Sequence, residues 1–130
     1  MSLLNLALIA SGAAVGACLR YMVGLLMARL LGLGFPWGTL AVNVIGSFAM
    51  GLVAAALVRA ELSDAQHPVR LLIATGLLGG FTTFSAFSLE IVQLWDRGAF
   101  GLAVGYVAAS LVFGIAALVA GLQIVRMLPE

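Results

Sequence analysis

Apolar residues run through this chain in four blocks, each about as long as a bilayer is thick. The first extends from about Leu3 to Leu31 and the second from about Trp37 to Val58. The third covers about Val69 to Trp95, the fourth about Phe100 to Met127. A helix needs about 20 mostly apolar residues to span hydrocarbon, so each block predicts one transmembrane helix. The separators are short. Gly32-Leu33-Gly34-Phe35-Pro36 follows the first block, and a polar loop from Arg59 to Pro68 follows the second. Asp96-Arg97-Gly98 makes a tight turn after the third. The expected fold class is all-α integral membrane, with one four-helix domain over residues 1–130 and no evident internal repeat.

The third block is the irregular one. Gly79-Gly80-Phe81-Thr82-Thr83-Phe84-Ser85-Ala86-Phe87-Ser88-Leu89-Glu90 sets two glycines, two threonines, two serines and an acid into a lipid-spanning stretch. In hydrocarbon, backbone that leaves its helical hydrogen bonds survives only where protein buries it or a wet cavity solvates it. The third helix is therefore expected to be broken, unwinding for about a turn at Gly79-Gly80 and Thr82-Thr83. Carbonyls freed there need a donor or a cation, and unwound carbonyls between half-helices commonly bind Na⁺. A kink closed by the threonine side chains is the simpler alternative.

Composition removes the soluble classes. The 130 residues are 64% hydrophobic and 8% charged, with a mean hydropathy of +1.22, whereas a soluble domain carries about 25% charged residues. A net charge of +1 leaves no basic stripe for nucleic acid. Cys18 is the sole cysteine, which excludes an intrachain disulfide or a cysteine-based metal site. Val15-Gly16-Ala17-Cys18 looks like a lipoprotein processing site, but Met1-Ser2-Leu3-Leu4-Asn5 lacks the basic start of a signal peptide. Cys18 is expected to be a packed thiol. His67 falls in the polar loop, where it is expected to be exposed, so Ser85 and Ser88 have no base. No catalytic set emerges, and the chain is not expected to be an enzyme.

The remaining polar residues fall into register. Thr39, Asn43, Gly46, Ser47 and Met50 share a face of the second span, and Tyr106, Ser110 and Phe113 align on the fourth. Phe84 and Phe87 share a face of the third, with Ser88 beside them. An amide in hydrocarbon needs partners and usually faces a cavity or another helix. A phenylalanine ring has a positive edge, which can attract a small anion without a full charge. Conduction needs release as well as binding. The Asn43 amide, the Tyr106 and Ser110 hydroxyls and the Phe84 and Phe87 edges thus form a candidate anion lining, with ordinary interhelical packing as the plain alternative. Arg20 lies inside the first span, where a central arginine costs at least about 2.5–3.5 kcal/mol. It either favours anions at a pore mouth or pairs with Glu90 or carbonyls. Glu90, a turn beyond Phe87, is Arg20's partner, a pathway group or a headgroup residue. Trp37 and Trp95 flank their spans as interfacial anchors do.

Four thin helices cannot enclose a pathway and also shield it from lipid. An even number of spans puts both termini on one side, with Arg59, Arg70 and Arg126; the other side holds Arg29 and Arg97. Orientation follows the arginine and lysine excess, and three against two is almost none. Either orientation is plausible, and a mixed population could assemble as an antiparallel pair. Glycines four apart let helices approach closely, at Gly12 with Gly16, Gly76 with Gly80 and Gly101 with Gly105. Some of these faces must pack within a protomer and others could join two. A homodimer is the economical solution.

Together these residues resemble the Fluc (CrcB) family of fluoride channels over essentially the whole chain. The resemblance is carried by the span-one arginine, by Gly38-Thr39-Leu40-Ala41-Val42-Asn43 and Gly46-Ser47-Phe48, and above all by Gly79-Gly80-Phe81-Thr82-Thr83-Phe84-Ser85-Ala86-Phe87. It implies a dual-topology antiparallel homodimer in the bacterial inner membrane, with two fluoride pathways and a central structural Na⁺. Its implied role is passive export of cytoplasmic fluoride. By position it places Asn43, Phe84, Phe87, Tyr106 and Ser110 along the path, links Thr83, Ser85, Glu90 and Arg20 to it, and assigns the Gly79 and Thr82 carbonyls to sodium. Ala86 replaces a threonine often found there, and Gly114 stands where a second pore-facing serine sometimes occurs. A small dual-topology proton-coupled multidrug exporter shares the size and span count. Such an exporter needs a membrane-centred carboxylate, whereas span one carries Arg20.

Overall fold

The computed structural model describes residues 2–129. Helix α1 runs Leu3–Leu31 and α2 runs Trp37–Arg59. Helix α3 winds as a π-helix over Arg70–Leu78 and as a single α turn over Gly79–Phe81. Helix α4 occupies Phe84–Asp96 and α5 occupies Phe100–Met127. With α3 and α4 counted as one stretch, four helical segments are long and apolar enough to cross a membrane. The four apolar blocks are thus four membrane-length helical segments, the third divided into α3 and α4.

Lipid tails are as apolar as leucine, so helices in a bilayer associate through close packing and hydrogen bonds rather than through expulsion of water. Two glycine seams supply the close packing. On the α1–α3 seam, a Cβ added to Gly12 would stand 2.2 Å from the Leu72 carbonyl oxygen, and one on Gly80 2.5 Å from that of Ala13. On the α2–α5 seam, a Cβ on Gly51 would stand 2.2 Å from the Leu118 carbonyl oxygen, and one on Gly121 2.3 Å from that of Phe48. Any side chain at these positions would push the helices apart. The Gly12–Gly16 and Gly76–Gly80 pairs therefore meet each other within the chain. Gly101 and Gly105 meet nothing: a Cβ on either has open space out to 4 Å. The Gly51–Gly121 contact uses one glycine from each helix, so a search for glycines four apart passes over it.

The connections are tied down locally. Helix α4 stops at a doubly bonded turn, in which Gly98 (φ 73°) donates to Trp95 at 2.8 Å and Ala99 to Leu94 at 2.9 Å. That is the usual helix stop with a left-handed residue after the last turn. Helix α2 ends the same way on Glu61 (φ 56°), with Glu61 donating to Val58 and Leu62 to Leu57. The Arg59 guanidinium then donates to the carbonyls of Val125, Leu128 and Pro129, binding the end of α5 to the end of α2.

Two expectations change. Cys18 is exposed rather than packed: Gly12 and Gly16 define the face of α1 that meets α3, and a residue two beyond Gly16 points to the far side of the helix. His67 is half-buried rather than exposed, with a shielded Nδ1 that has no hydrogen-bond partner among the described residues. Its backbone explains the position, since its N–H donates to Asp64 and its carbonyl receives Leu71 N–H at the start of α3.

Candidate functional site

The residues between α3 and α4 hold the centre of the site. Thr82 (φ −77°, ψ 160°) and Thr83 (φ −153°, ψ 123°) are extended. Gly79 and Gly80, which the sequence suggested would unwind, are helical instead. β-Branched threonine is at ease in extended backbone, while Gly80 is needed without a side chain for contact with α1.

Asn43 supplies what this stretch of backbone lacks. Its Oδ1 accepts from Thr83 N–H at 2.9 Å, and its Nδ2 donates to the Thr83 carbonyl at 3.0 Å. Thr83 Oγ1 accepts from Ala86 N–H at 3.2 Å, capping α4. Thr82 Oγ1 donates to the Leu78 carbonyl at 2.9 Å. In an unbroken α-helix, Thr83 N–H would bind the Gly79 carbonyl and Ala86 N–H the Thr82 carbonyl. Both donors are spent elsewhere, so these two carbonyls lose their helical partners. The C-terminal, partly negative end of α3 and the N-terminal, partly positive end of α4 meet at this point.

A polar and aromatic seam leads from there toward the end of α4. Glu90 lies about 9 Å from that end, at 1.5 Å per residue. Its Oε1 accepts from Thr39 Oγ1 at 2.8 Å and its Oε2 from the Tyr106 hydroxyl at 2.7 Å. Tyr106 is fully buried, and its ring stands at 65° to that of Phe87 with centroids 5.1 Å apart. Phe84 follows at 5.7 Å from Phe87. Tyr106 also meets Phe35, at 5.3 Å and 79°. Ser110, one turn along α5 from Tyr106, keeps a buried Oγ with no partner among the described residues. Two cavities flank the seam. One, of about 670 Å³, is lined by Arg20, Thr39 and Glu90 with Phe35, Trp37 and Arg97. The other, of about 260 Å³, is lined by Asn43, Ser47, Thr82, Thr83 and Phe84.

The structure thus gathers Asn43, Thr83, Phe84, Phe87, Tyr106 and Glu90 into one connected set, with Ser110 adjoining. The sequence leaves Glu90 as Arg20's partner, a pathway group or a headgroup residue; its carboxylate is held by the Thr39 and Tyr106 hydroxyls, and Arg20 lines the same cleft. Ser85 Oγ lies 3.4 Å from Thr83 Oγ1. Ser88 turns back to donate to the Phe84 carbonyl at 2.9 Å. Phe113 stands apart, in a groove with Met27, Trp37 and Val44. Where Gly114 lacks a hydroxyl, Ser47 Oγ comes within 3.7 Å of its Cβ position from α2. Thr39 shares a face with Asn43 in the sequence, but only the structure gives it Glu90. Phe35 gave no sequence signal beyond preceding a proline. Among the described residues no three His, Cys, Asp or Glu side chains converge.

Residues 7–122 match the family described as CrcB-like protein, Camphor Resistance (CrcB). The chain is 52% identical over 126 residues to a protein of Agrobacterium fabrum named fluoride-specific ion channel FluC, across 97% of this chain and 99% of that one. A protein of the same name from Mesorhizobium japonicum is 49% identical, with 96% and 98% covered. Another, from a Chelativorans species, is 52% identical, with 94% and 96% covered. The family match runs from the first turns of α1 to the last turns of α5 and takes in every residue of the polar seam; the chain belongs to the CrcB family.

Proposed function

We propose that the chain is the subunit of a fluoride-selective channel in the bacterial inner membrane, through which cytoplasmic fluoride leaves passively. It is not an enzyme. The observation that carries this reading is identity at about half of all positions, over nearly the full length, to proteins named fluoride-specific channels. The geometry supports a physical route. Fluoride is small and strongly hydrated, so it enters a narrow path only where donors replace its water. Asn43 commits one N–H of its amide to Thr83 and retains the other. Ser110 has a buried hydroxyl to give, and Phe84 and Phe87 present ring edges. Weak, uncharged donors let the ion go again, as conduction requires. Arg20 in the wide cleft raises the local anion concentration, and Glu90, Thr83 and Ser85 border the path. An inside-negative potential drives the anion out with about 2.3 kcal/mol per 100 mV.

Two copies complete the path in this reading, arranged antiparallel. Phe84 is 78% exposed, Gly79 is exposed, and the Gly101–Gly105 stripe is open. These are surfaces a second copy would cover, and the near-balanced arginines permit either insertion direction. A central Na⁺ fits the donors. Neutral carbonyl oxygens suit a hard monovalent cation, and those of Gly79 and Thr82, at the partly negative end of α3, have lost their helical donors. When bound, the ion would supply the positive charge that compensates these carbonyls from both copies.

The exporter reading is less favoured. Its carboxylate must be free to trade protons for substrate, yet both Glu90 oxygens are engaged by Thr39 and Tyr106. The test is efflux from liposomes loaded with fluoride, with the potential clamped by valinomycin and external fluoride followed by an electrode. Rapid efflux with chloride retained is expected; efflux that requires a proton gradient would refute the channel. Replacing all Na⁺ by a bulky organic cation should silence the flux. Full activity after exhaustive sodium removal would exclude the carbonyl site.

A further inference from the structure

We infer that Phe35, in the α1–α2 loop, is a positioning residue for the anion path, acting through Tyr106. The inference rests on the channel reading above. Its starting point is the rigidity of the loop. Pro36 has φ −78° and ψ 59°, and Trp37 N–H donates to the Phe35 carbonyl at 2.8 Å. Those values are an inverse γ-turn, with φ locked by the proline ring. Leu40 N–H, at 3.2 Å from the Pro36 carbonyl, ties the turn onto α2. The Trp37 ring then holds that of Phe35 from outside, at a centroid distance of 4.6 Å.

The fixed ring of Phe35 packs against the buried cluster of Phe87, Leu94, Ala103 and Tyr106. Tyr106 thereby packs against two rings at steep angles, Phe87 at 65° and Phe35 at 79°. Its hydroxyl is the far end of a lever, and the lever's tilt decides whether it reaches Glu90 at 2.7 Å. Phe35 also lines the wide cleft beside Arg20, Thr39 and Glu90. It therefore stands where the cleft gives way to the buried ring series. Without this ring Tyr106 can tilt, the grip on Glu90 loosens, and the passage widens enough for a larger, less tightly hydrated halide.

The test compares Phe35→Leu and Phe35→Tyr with wild type in the liposome assay, recording fluoride and chloride efflux separately. Leucine keeps apolar volume and loses the ring; tyrosine keeps the ring. A ring contact of this kind corresponds to roughly a three- to tenfold effect. Phe35→Leu is expected to slow fluoride by that factor and to raise the chloride-to-fluoride ratio, while Phe35→Tyr behaves as wild type. Slower fluoride with an unchanged ratio means only fewer active channels and overturns the inference, as does a wild-type Phe35→Leu or an impaired Phe35→Tyr. If Phe35→Leu does not assemble, Phe35→Met replaces it under the same criteria. Wild-type vesicles that retain their fluoride would overturn the channel reading itself, and the inference with it.

Discussion

Replacing Asn43 by leucine removes the side chain that satisfies the extended backbone between α3 and α4 while keeping similar volume. Two hydrogen bonds to Thr83 disappear. Interhelical side-chain bonds in membranes average about 0.6 kcal/mol, which sets a floor near 1 kcal/mol for the pair. An orphaned buried donor or acceptor costs about 1–3 kcal/mol, which sets a ceiling near 6 kcal/mol. Thr83 is half-buried, so water reaches it in part, and about 2–3 kcal/mol is expected. The alternative for the chain is to rewind. Two extended residues rise about 3.3 Å each against 1.5 Å in a helix, so rewinding would draw α4 about 4 Å toward α3. Glu90 would then lose Thr39 and Tyr106, now at 2.8 and 2.7 Å. By either route fluoride efflux is expected to be lost. Amide hydrogen exchange at Thr83 and Ala86, thermal unfolding in detergent and fluoride efflux together measure the effect. Asn43→Leu with unchanged exchange, melting and flux would refute the assignment of Asn43 as the backbone's partner.

Phe87→Ile should slow fluoride efflux at least tenfold with assembly retained on size exclusion, because it removes the ring edge between Phe84 and Tyr106; unimpaired flux would remove the ring-edge mechanism. Gly51→Val should lower stability by about 1–3 kcal/mol or more by overpacking, given the 2.2 Å approach of its Cβ site to the Leu118 carbonyl. Gly105→Ala is sterically free within one chain, so a loss of assembly in that variant alone would place a second copy on that face. Glu61→Gly, at φ 56°, should raise thermal stability by about 1 kcal/mol by relieving left-handed backbone. An unchanged melting temperature would show that Glu61 is held there at no cost.

The sequence by itself determined the class of molecule and the number of its helices. Apolar length, helix breakers such as Pro36 and Gly98, and the scarcity of charge act locally, and each reads directly in residue order. It also marked the segment from Gly79 to Glu90 as out of place in lipid. What it could not decide was which residues there depart from the helix. Glycine suggested unwinding, but Gly80 is required bare for contact with Ala13 of α1, and Thr82 and Thr83 take the extended backbone instead. Likewise the partner of Asn43 lies 40 residues away, and those of Glu90 lie 51 and 16 away. Those pairings depend on how the helices settle against one another, which residue order along any one of them does not show. Phe35 shows the same limit from the other side. Nothing in its local pattern distinguishes it from any apolar loop residue, and only the turn at Pro36, folded onto Tyr106, gives it a place in the aromatic series.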